Sequence, residues 1–227
     1  MKDRHDPVRG QADPKQIVAR GYDRIVERYG RWALSVREEE RARYTALLED
    51  RLSPGSRLLE LGCGPGLPTT RRLAESFAVV GIDLSARQIE RARRNAPGAA
   101  FVQADMGTVG FAPASFDAVA SFYALIHLPR QEQPGLVRKV AAWLRPGGLF
   151  MASMGAGAVE AGLADDWLGA PMYWSSFDAA TNRRLVEEAG LSLLSAREET
   201  AEEFGRPVTF LWVVAEKSAD QGEIREV

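Results

Sequence analysis

The chain has little cysteine, little histidine and almost no charge surplus. Its 227 residues include one Cys and two His, and 29 Lys and Arg stand against 31 Asp and Glu, for a net charge of −2. A lone cysteine, Cys63, cannot form an internal disulfide, and a reducing cytoplasmic compartment is the expected setting. With so few histidines and thiols, no zinc or iron spacing exists, so no metal is expected. The balanced charge argues against a nucleic-acid footprint, which needs a basic face. No apolar run is long enough to cross a bilayer, and the opening Met1-Lys2-Asp3-Arg4-His5-Asp6 lacks the apolar core of a secretory signal, so no membrane contact is expected. Internal repeats and low-complexity blocks are missing too. What remains, 45% apolar and 26% charged residues, is the composition of a globular domain with enough chain for a sizeable core.

The informative segment is Leu58-Leu59-Glu60-Leu61-Gly62-Cys63-Gly64-Pro65-Gly66, followed by Val79-Val80-Gly81-Ile82-Asp83. An apolar strand runs into alternating glycines and then a helix, and the next apolar strand ends on a carboxylate. Glycines let a backbone approach a ligand closely, and an acid at that strand end accepts hydrogen bonds from ribose hydroxyls. The pattern points to an adenosine-like ligand. The dinucleotide fingerprint G-x-G-x-x-G is not met, because Leu67 stands where its third glycine belongs. Glu60 would repel a pyrophosphate but suits a ligand with an ammonium group.

E-x-G-x-G-x-G with an acid ending the next strand resembles the class I S-adenosylmethionine-dependent methyltransferases. The resemblance covers about residues 22–217 in the family's order and is carried further by Ala104-Asp105-Met106, by Phe116–Tyr123 and by Leu144-Arg145-Pro146-Gly147-Gly148-Leu149. It implies transfer of a methyl group from S-adenosylmethionine to a small-molecule acceptor, with S-adenosylhomocysteine as the product. The alternative is a cofactor-binding protein or a non-methylating enzyme on the same scaffold. The implied cofactor-binding residues are Tyr22, Glu60, Gly62, Gly64, Asp83, Leu84, Asp105, Met106 and Phe122. The acceptor's identity, the atom methylated and the oligomeric state carry no signature in the sequence.

Along the chain, residues 1–12 are expected to be mobile, residues 13–217 to form one methyltransferase domain, and 218–227 a loose tail. Within the domain, residues 13–53 are two helices covering the site. The first begins at Asp13-Pro14 and carries Val18, Tyr22, Ile25, Tyr29 and Trp32 at helical spacing; Ser35-x-x-Glu38 is a capping box for the second. Strands at 57–61, 78–82, 100–103, 117–122 and 149–153 alternate with helices, which predicts crossover connections. Strands at 191–196 and 208–215, joined through Gly205-Arg206-Pro207, predict antiparallel pairing. The fold class is thus α/β: a single Rossmann-like domain with a mostly parallel seven-stranded sheet, helices on both faces and a C-terminal antiparallel hairpin.

The long segment 154–177 holds Trp167, Tyr173, Trp174 and Phe177 after the fifth strand. It reads as a substrate flap with Tyr173 and Trp174 against the acceptor, or as a short helix with packing aromatics. Tyr123 and His127 follow the fourth strand, near the expected acceptor position. His127 is either a general base, with the rate climbing near the ordinary histidine pKa, or a structural hydrogen-bonding residue. Tyr123 either bonds the acceptor or packs. Asp105 either accepts from the adenine amino group or forms a turn.

Overall fold

The computed structural model describes residues 13–219; the readings for residues 1–12 and for most of the C-terminal tail lie outside them. The first helix, α1 (Pro14–Ser35), starts as its sequence dictates: the Asp13 side chain accepts from the Lys15 N–H at 3.0 Å, and Pro14 occupies the first turn, where no donor is needed. The second, α2 (Glu38–Arg51), has three glutamates in its first turn, on the favourable end of the helix dipole.

The expected capping box is not formed. Ser35 is still helical and its hydroxyl donates to the Trp32 carbonyl, while Arg37 turns the corner in the left-handed region at φ 51°. Tertiary contacts override the local motif. The Arg37 guanidinium is held by Glu40 at 2.8 Å, by Glu203 and by the Val208 carbonyl, and these bonds offset a backbone cost of about 1–3 kcal/mol.

Seven strands form the main sheet: β1 (Arg57–Leu61), β2 (Ala78–Asp83), β3 (Ala100–Gln103), β4 (Phe116–Ser121), β5 (Leu144–Gly155), β8 (Leu191–Glu203) and β9 (Arg206–Lys217). Their order is β3-β2-β1-β4-β5-β9-β8; the first five are parallel, and β9 runs antiparallel to both β5 and β8. Helices α3 (Thr69–Leu73), α4 (Ala86–Asn95), α5 (Gln133–Trp143) and α6 (Ala179–Glu188) complete the layers. Alternation along β1 sends Leu58 to one face, with Tyr44, Leu48 and Trp212, and Leu59 and Leu61 to the other, with Leu136, Val140 and Phe150. Strand order reverses between β1 and β4, which opens a crevice at their carboxyl ends.

Segment 154–177 holds no helix. It completes β5 and then forms a separate antiparallel hairpin, β6 (Val159–Trp167) and β7 (Ala170–Ser176). One face of this hairpin is buried against α1 in a cluster of Val18, Ile25, Ala170, Met172 and Tyr173. Gly21 permits the contact, since a Cβ there would lie 2.7 Å from the Pro171 carbonyl oxygen.

The C-terminal strands are longer than their sequence predicts. The turn is Phe204-Gly205, both at positive φ (51° and 74°), so Arg206 and Pro207 belong to β9. Two consecutive positive φ angles mark the hairpin turn whose twist matches the strands. Pairing with β5 stops at Phe210, so the tip of the β8–β9 hairpin projects beyond the sheet on the ligand side.

Candidate active site

A cleft opens in the crevice. Its floor is the glycine loop after β1. Gly62, Gly64 and Gly66 all take positive φ, and a Cβ on Gly62 would fall 2.2 Å from the Ala124 Cβ. Only glycine fits there, and the exposed backbone leaves a cradle that a side chain would fill. Asp83 ends β2 at the cleft wall, where one carboxylate oxygen accepts from the Gly64 N–H and the other from the Ser85 N–H, both at 2.9 Å. Burial pushes its carboxyl up to about 6, against the pull of those two N–H groups. Leu84, Met106 and Phe122 also line the cleft.

The roof is α1, which contributes Lys15, Val18, Tyr22 and Tyr29. Lys15 donates to Asp105 at 2.8 Å and to Glu132, and the second Asp105 oxygen accepts from the Gly107 N–H at 2.7 Å. Asp105 therefore stands at the cleft with its carboxylate engaged by the roof helix and by its own turn. Further along α1, Asp23 accepts from the Ser85 hydroxyl and the Arg87 N–H, which fastens the helix to the start of α4.

Glu60 is not brought to the cleft surface. It lies buried under the glycine loop and accepts from the Thr70 hydroxyl at 2.6 Å. Burial raises its carboxyl to about 7, while Thr70 and the nearby Arg41 charge act the other way. Arg41 itself is buried, sits 4.3 Å above the Tyr123 ring, and leaves Nε without a hydrogen-bond partner among the described residues. Cys63 is buried in the loop, and desolvation holds its thiol well above the ordinary value, which suits packing rather than nucleophilic chemistry.

A second chamber, about 550 Å³, adjoins the first. Tyr22, Tyr29, Tyr123 and His127 line both and form the partition between them. His127 lies in a single 3₁₀ turn (Leu125–His127) after β4. Its Nδ1 is 2.8 Å from the Tyr173 carbonyl oxygen, and its Nε2 is 2.8 Å from the Tyr22 hydroxyl. A carbonyl only accepts, so Nδ1 carries the proton and the neutral ring accepts from Tyr22 at Nε2. Burial lowers the imidazole to about 4, so the ring is neutral at physiological pH and the ordinary histidine titration expected from sequence is displaced.

Tyr123 takes a left-handed conformation at φ 61°, with its N–H donating to the Ser153 hydroxyl and its own hydroxyl to Glu40 at 2.8 Å. Its ring walls the chamber while its hydroxyl is committed elsewhere. Trp174 lines the chamber; the Tyr173 side chain packs under α1, and that residue enters the site through its carbonyl.

Sequence reasoning missed Lys15, Arg41 and the chamber wall of Trp32, Trp167 and Phe204, and it read Tyr29 as packing alone. The one available signal was Phe204, a large apolar residue in an otherwise polar turn. Among the described residues, no group of three or more His, Cys, Asp or Glu side chains is placed to hold a metal ion, and no helix is long and apolar enough to cross a membrane.

Comparison with known proteins bears on the same region. A family model described as a methyltransferase domain matches residues 58–148. The chain is 31% identical over 189 residues to the methyltransferase GfsG of Streptomyces halstedii, covering 73% of this chain and 66% of that one. It is 38% identical over 117 residues to the 27-O-demethylrifamycin SV methyltransferase of Amycolatopsis mediterranei, covering 46% and 42%. The chain spans about half, or less, of the length of the first curated relatives it matches. Among solved structures, the [4+2]-cyclase SpnF superposes with a TM-score of 0.71 at 17% identity, over 92% of this chain and 98% of that one, a likeness of fold. With the glycine cradle and the strand-end acid inside the residues that the family model matches, and with this sheet order around them, this chain belongs to the class I S-adenosylmethionine-dependent methyltransferases.

Proposed function

We propose that this protein transfers a methyl group from S-adenosylmethionine to a small-molecule acceptor. The observation that carries the reading is the meeting of two cavities at one partition of Tyr22, Tyr29, Tyr123 and His127. The residues present fit the cofactor. The glycine cradle admits its backbone-hugging portion, Asp83 keeps free lone pairs for two ribose hydroxyls, and Leu84, Met106 and Phe122 give apolar surface for adenine. Beneath the glycine loop, the buried Glu60 sets a carboxyl group near where the ligand's ammonium would lie, and the nearby Arg41 keeps one guanidinium nitrogen, Nε, without a partner among the described residues.

The bound cofactor supplies a methyl group already activated on a sulfonium. The protein's part is then alignment, exclusion of water and management of one proton. Holding two reactants in line contributes up to about 7–11 kcal/mol in favourable cases. The roof helix and the β6–β7 hairpin exclude water, which strengthens electrostatics inside. An acceptor hydroxyl that donates to the Tyr22 oxygen continues a chain running from Tyr22 O–H to His127 Nε2. With the methyl donor bound, the proton lost by the acceptor hydroxyl would pass to Tyr22 and the Tyr22 proton to His127. The imidazolium is steadied by the Tyr173 carbonyl. Because the sulfonium charge is consumed in the same event, the site's net charge does not change.

Small-molecule acceptors are supported by the names of relatives, such as the 27-O-demethylrifamycin SV methyltransferase. The fold likeness to a [4+2]-cyclase favours a second reading, a non-methylating enzyme on this scaffold. Incubation with methyl-labelled S-adenosylmethionine and a panel of phenols, amines and carboxylic acids separates the two. Label in an acceptor is the expected result. Tight binding of S-adenosylhomocysteine without label transfer to any acceptor favours the second reading, and no binding removes both.

A further inference from the structure

The chamber has two unlike walls. On one side Arg37 is neutralised by Glu40 and Glu203, and Arg41 lies over Tyr123. The other side is a continuous run of aromatic rings from the partition to the mouth. Tyr22 meets Trp167 at 5.8 Å between ring centroids, Trp167 meets Trp32 at 5.4 Å, and Trp32 stacks on Phe204 at 5.8 Å with their planes 4° apart. Trp174 joins Trp167 at 5.9 Å.

Three separate elements, α1, the β6–β7 hairpin and the tip of the β8–β9 hairpin, supply these rings. The Arg28 guanidinium holds the first two together by donating to the Leu168 carbonyl at 2.6 Å.

Phe204 is the unusual member. It occupies the first central position of a two-residue hairpin turn at φ 51°, where Asn, Asp or Gly is favoured, and it is 62% exposed. A phenylalanine there gives the fold strain and exposed apolar surface, with only the Trp32 stack in return. A ligand that slides against that stack accounts for the residue. The chamber, at about 550 Å³, lies within the usual range of about 300–1,000 Å³ for small-molecule sites, so a single-ring acceptor leaves much of it empty.

Resting on the reading that the smaller cleft holds the cofactor, we propose that the acceptor is a rigid, flat molecule of several fused or conjugated rings bearing a hydroxyl group. Its hydroxyl lies at Tyr22 and His127, its ring faces lie along Trp167 and Trp32, and its far end passes out along the edge of the Trp32–Phe204 stack. Phe204 and Trp32 are specificity-determining residues for this class.

The test uses 1-hydroxypyrene, with four fused rings and one hydroxyl, against phenol, titrated into the whole protein with and without S-adenosylhomocysteine. The expected result is that 1-hydroxypyrene binds at least about tenfold more tightly than phenol in both conditions. Phe204→Asn, which suits the turn and keeps the fold, and Trp32→Ala each weaken 1-hydroxypyrene by about tenfold and leave phenol and S-adenosylhomocysteine affinities unchanged. Equal binding of the two probes, or 1-hydroxypyrene binding indifferent to both substitutions, overturns the proposal. Failure of S-adenosylhomocysteine to bind the wild type overturns the reading of the cleft instead, because the probe titration without it stands by itself.

Discussion

Cofactor affinity should fall steeply as pH drops from 8 to 5, and the size of the fall follows from two carboxyls. Asp83, pushed up to about 6, would bind ribose hydroxyls as a carboxylate under the proposed function. At pH 8 it is almost fully ionised; at pH 5 only about one molecule in eleven is, so affinity for S-adenosylhomocysteine drops about tenfold from this group alone. Glu60, raised to about 7, sits under the loop and, under the proposed function, would act on the ligand's ammonium through its charge. Its full titration would add at most about a further hundredfold. The ligand's own amino and carboxyl groups keep their charges over this range. Binding must also expel protons, about half a proton from Asp83 at pH 6. In the ligand-free protein the sign is opposite. Both carboxyls have folded pKa values above their unfolded ones, so they contribute stability below about pH 4 that is lost as pH rises through 6 and 7. The thermal shift caused by the ligand is therefore larger at pH 8 than at pH 5. Isothermal calorimetry at pH 5, 6, 7 and 8, in buffers of different ionisation enthalpy, measures affinity and proton release together. A flat affinity with no proton release refutes the reasoning. Asp83→Asn should remove the decade assigned to Asp83. It should also loosen the loop by about 1–3 kcal/mol, because both oxygens accept backbone N–H groups and an amide can replace only one of them.

Other predictions concern the roof and the partition. Tyr22→Phe and His127→Asn should each slow methylation of a hydroxyl acceptor by about 10²-fold or more, with the double variant no slower than the worse single one; additive losses in rate measurements would break the relay. The wild-type rate should show no histidine titration near pH 6.5, because His127 sits at about 4; an inflection there that His127→Asn removes would contradict the buried, neutral ring. Gly21→Ala should lose about 1–3 kcal/mol in urea unfolding, since the new Cβ meets Pro171 and Met172, whereas Gly30→Ala, with nothing within 4 Å, should gain up to about 1 kcal/mol. Arg41→Met should weaken S-adenosylhomocysteine by about tenfold while leaving adenosine affinity unchanged, and equal losses for both ligands would take Arg41 away from the amino-acid end.

The parallel half of the sheet was legible because β1, β2 and β5 are apolar runs whose ends are marked by Gly62, Asp83 and Gly155. Asp83 could be placed from sequence for the same reason: a strand end in a crossover sheet has a fixed position relative to the glycine loop. Failures came where distant contacts decide. The capping box at Ser35 lost to ion pairs that Arg37 makes with Glu203, far along the chain. The hydroxyl of Tyr123 is claimed by Glu40, and Asp105 by Lys15, partners that no local pattern announces. The β6–β7 hairpin was hidden because only one of its faces is covered, and its strand Val159–Trp167 is broken by Gly162 and by paired aspartates. Its type I′-like turn at Leu168-Gly169, with both residues at positive φ, offered only one glycine as a clue. His127 was found by position, but no local pattern announced that both ring nitrogens are engaged, Nε2 by the Tyr22 hydroxyl and Nδ1 by the Tyr173 carbonyl.

The central claim is that the cofactor's sulfur sits at the partition where the two cavities meet. A crystal structure with S-adenosylhomocysteine bound tests it most directly. The account predicts ribose hydroxyls on Asp83, adenine between Leu84 and Met106, and sulfur facing Tyr22 and His127 with an open path into the aromatic chamber. A ligand whose sulfur points away from Tyr22, or that lies outside the glycine cradle, would contradict it.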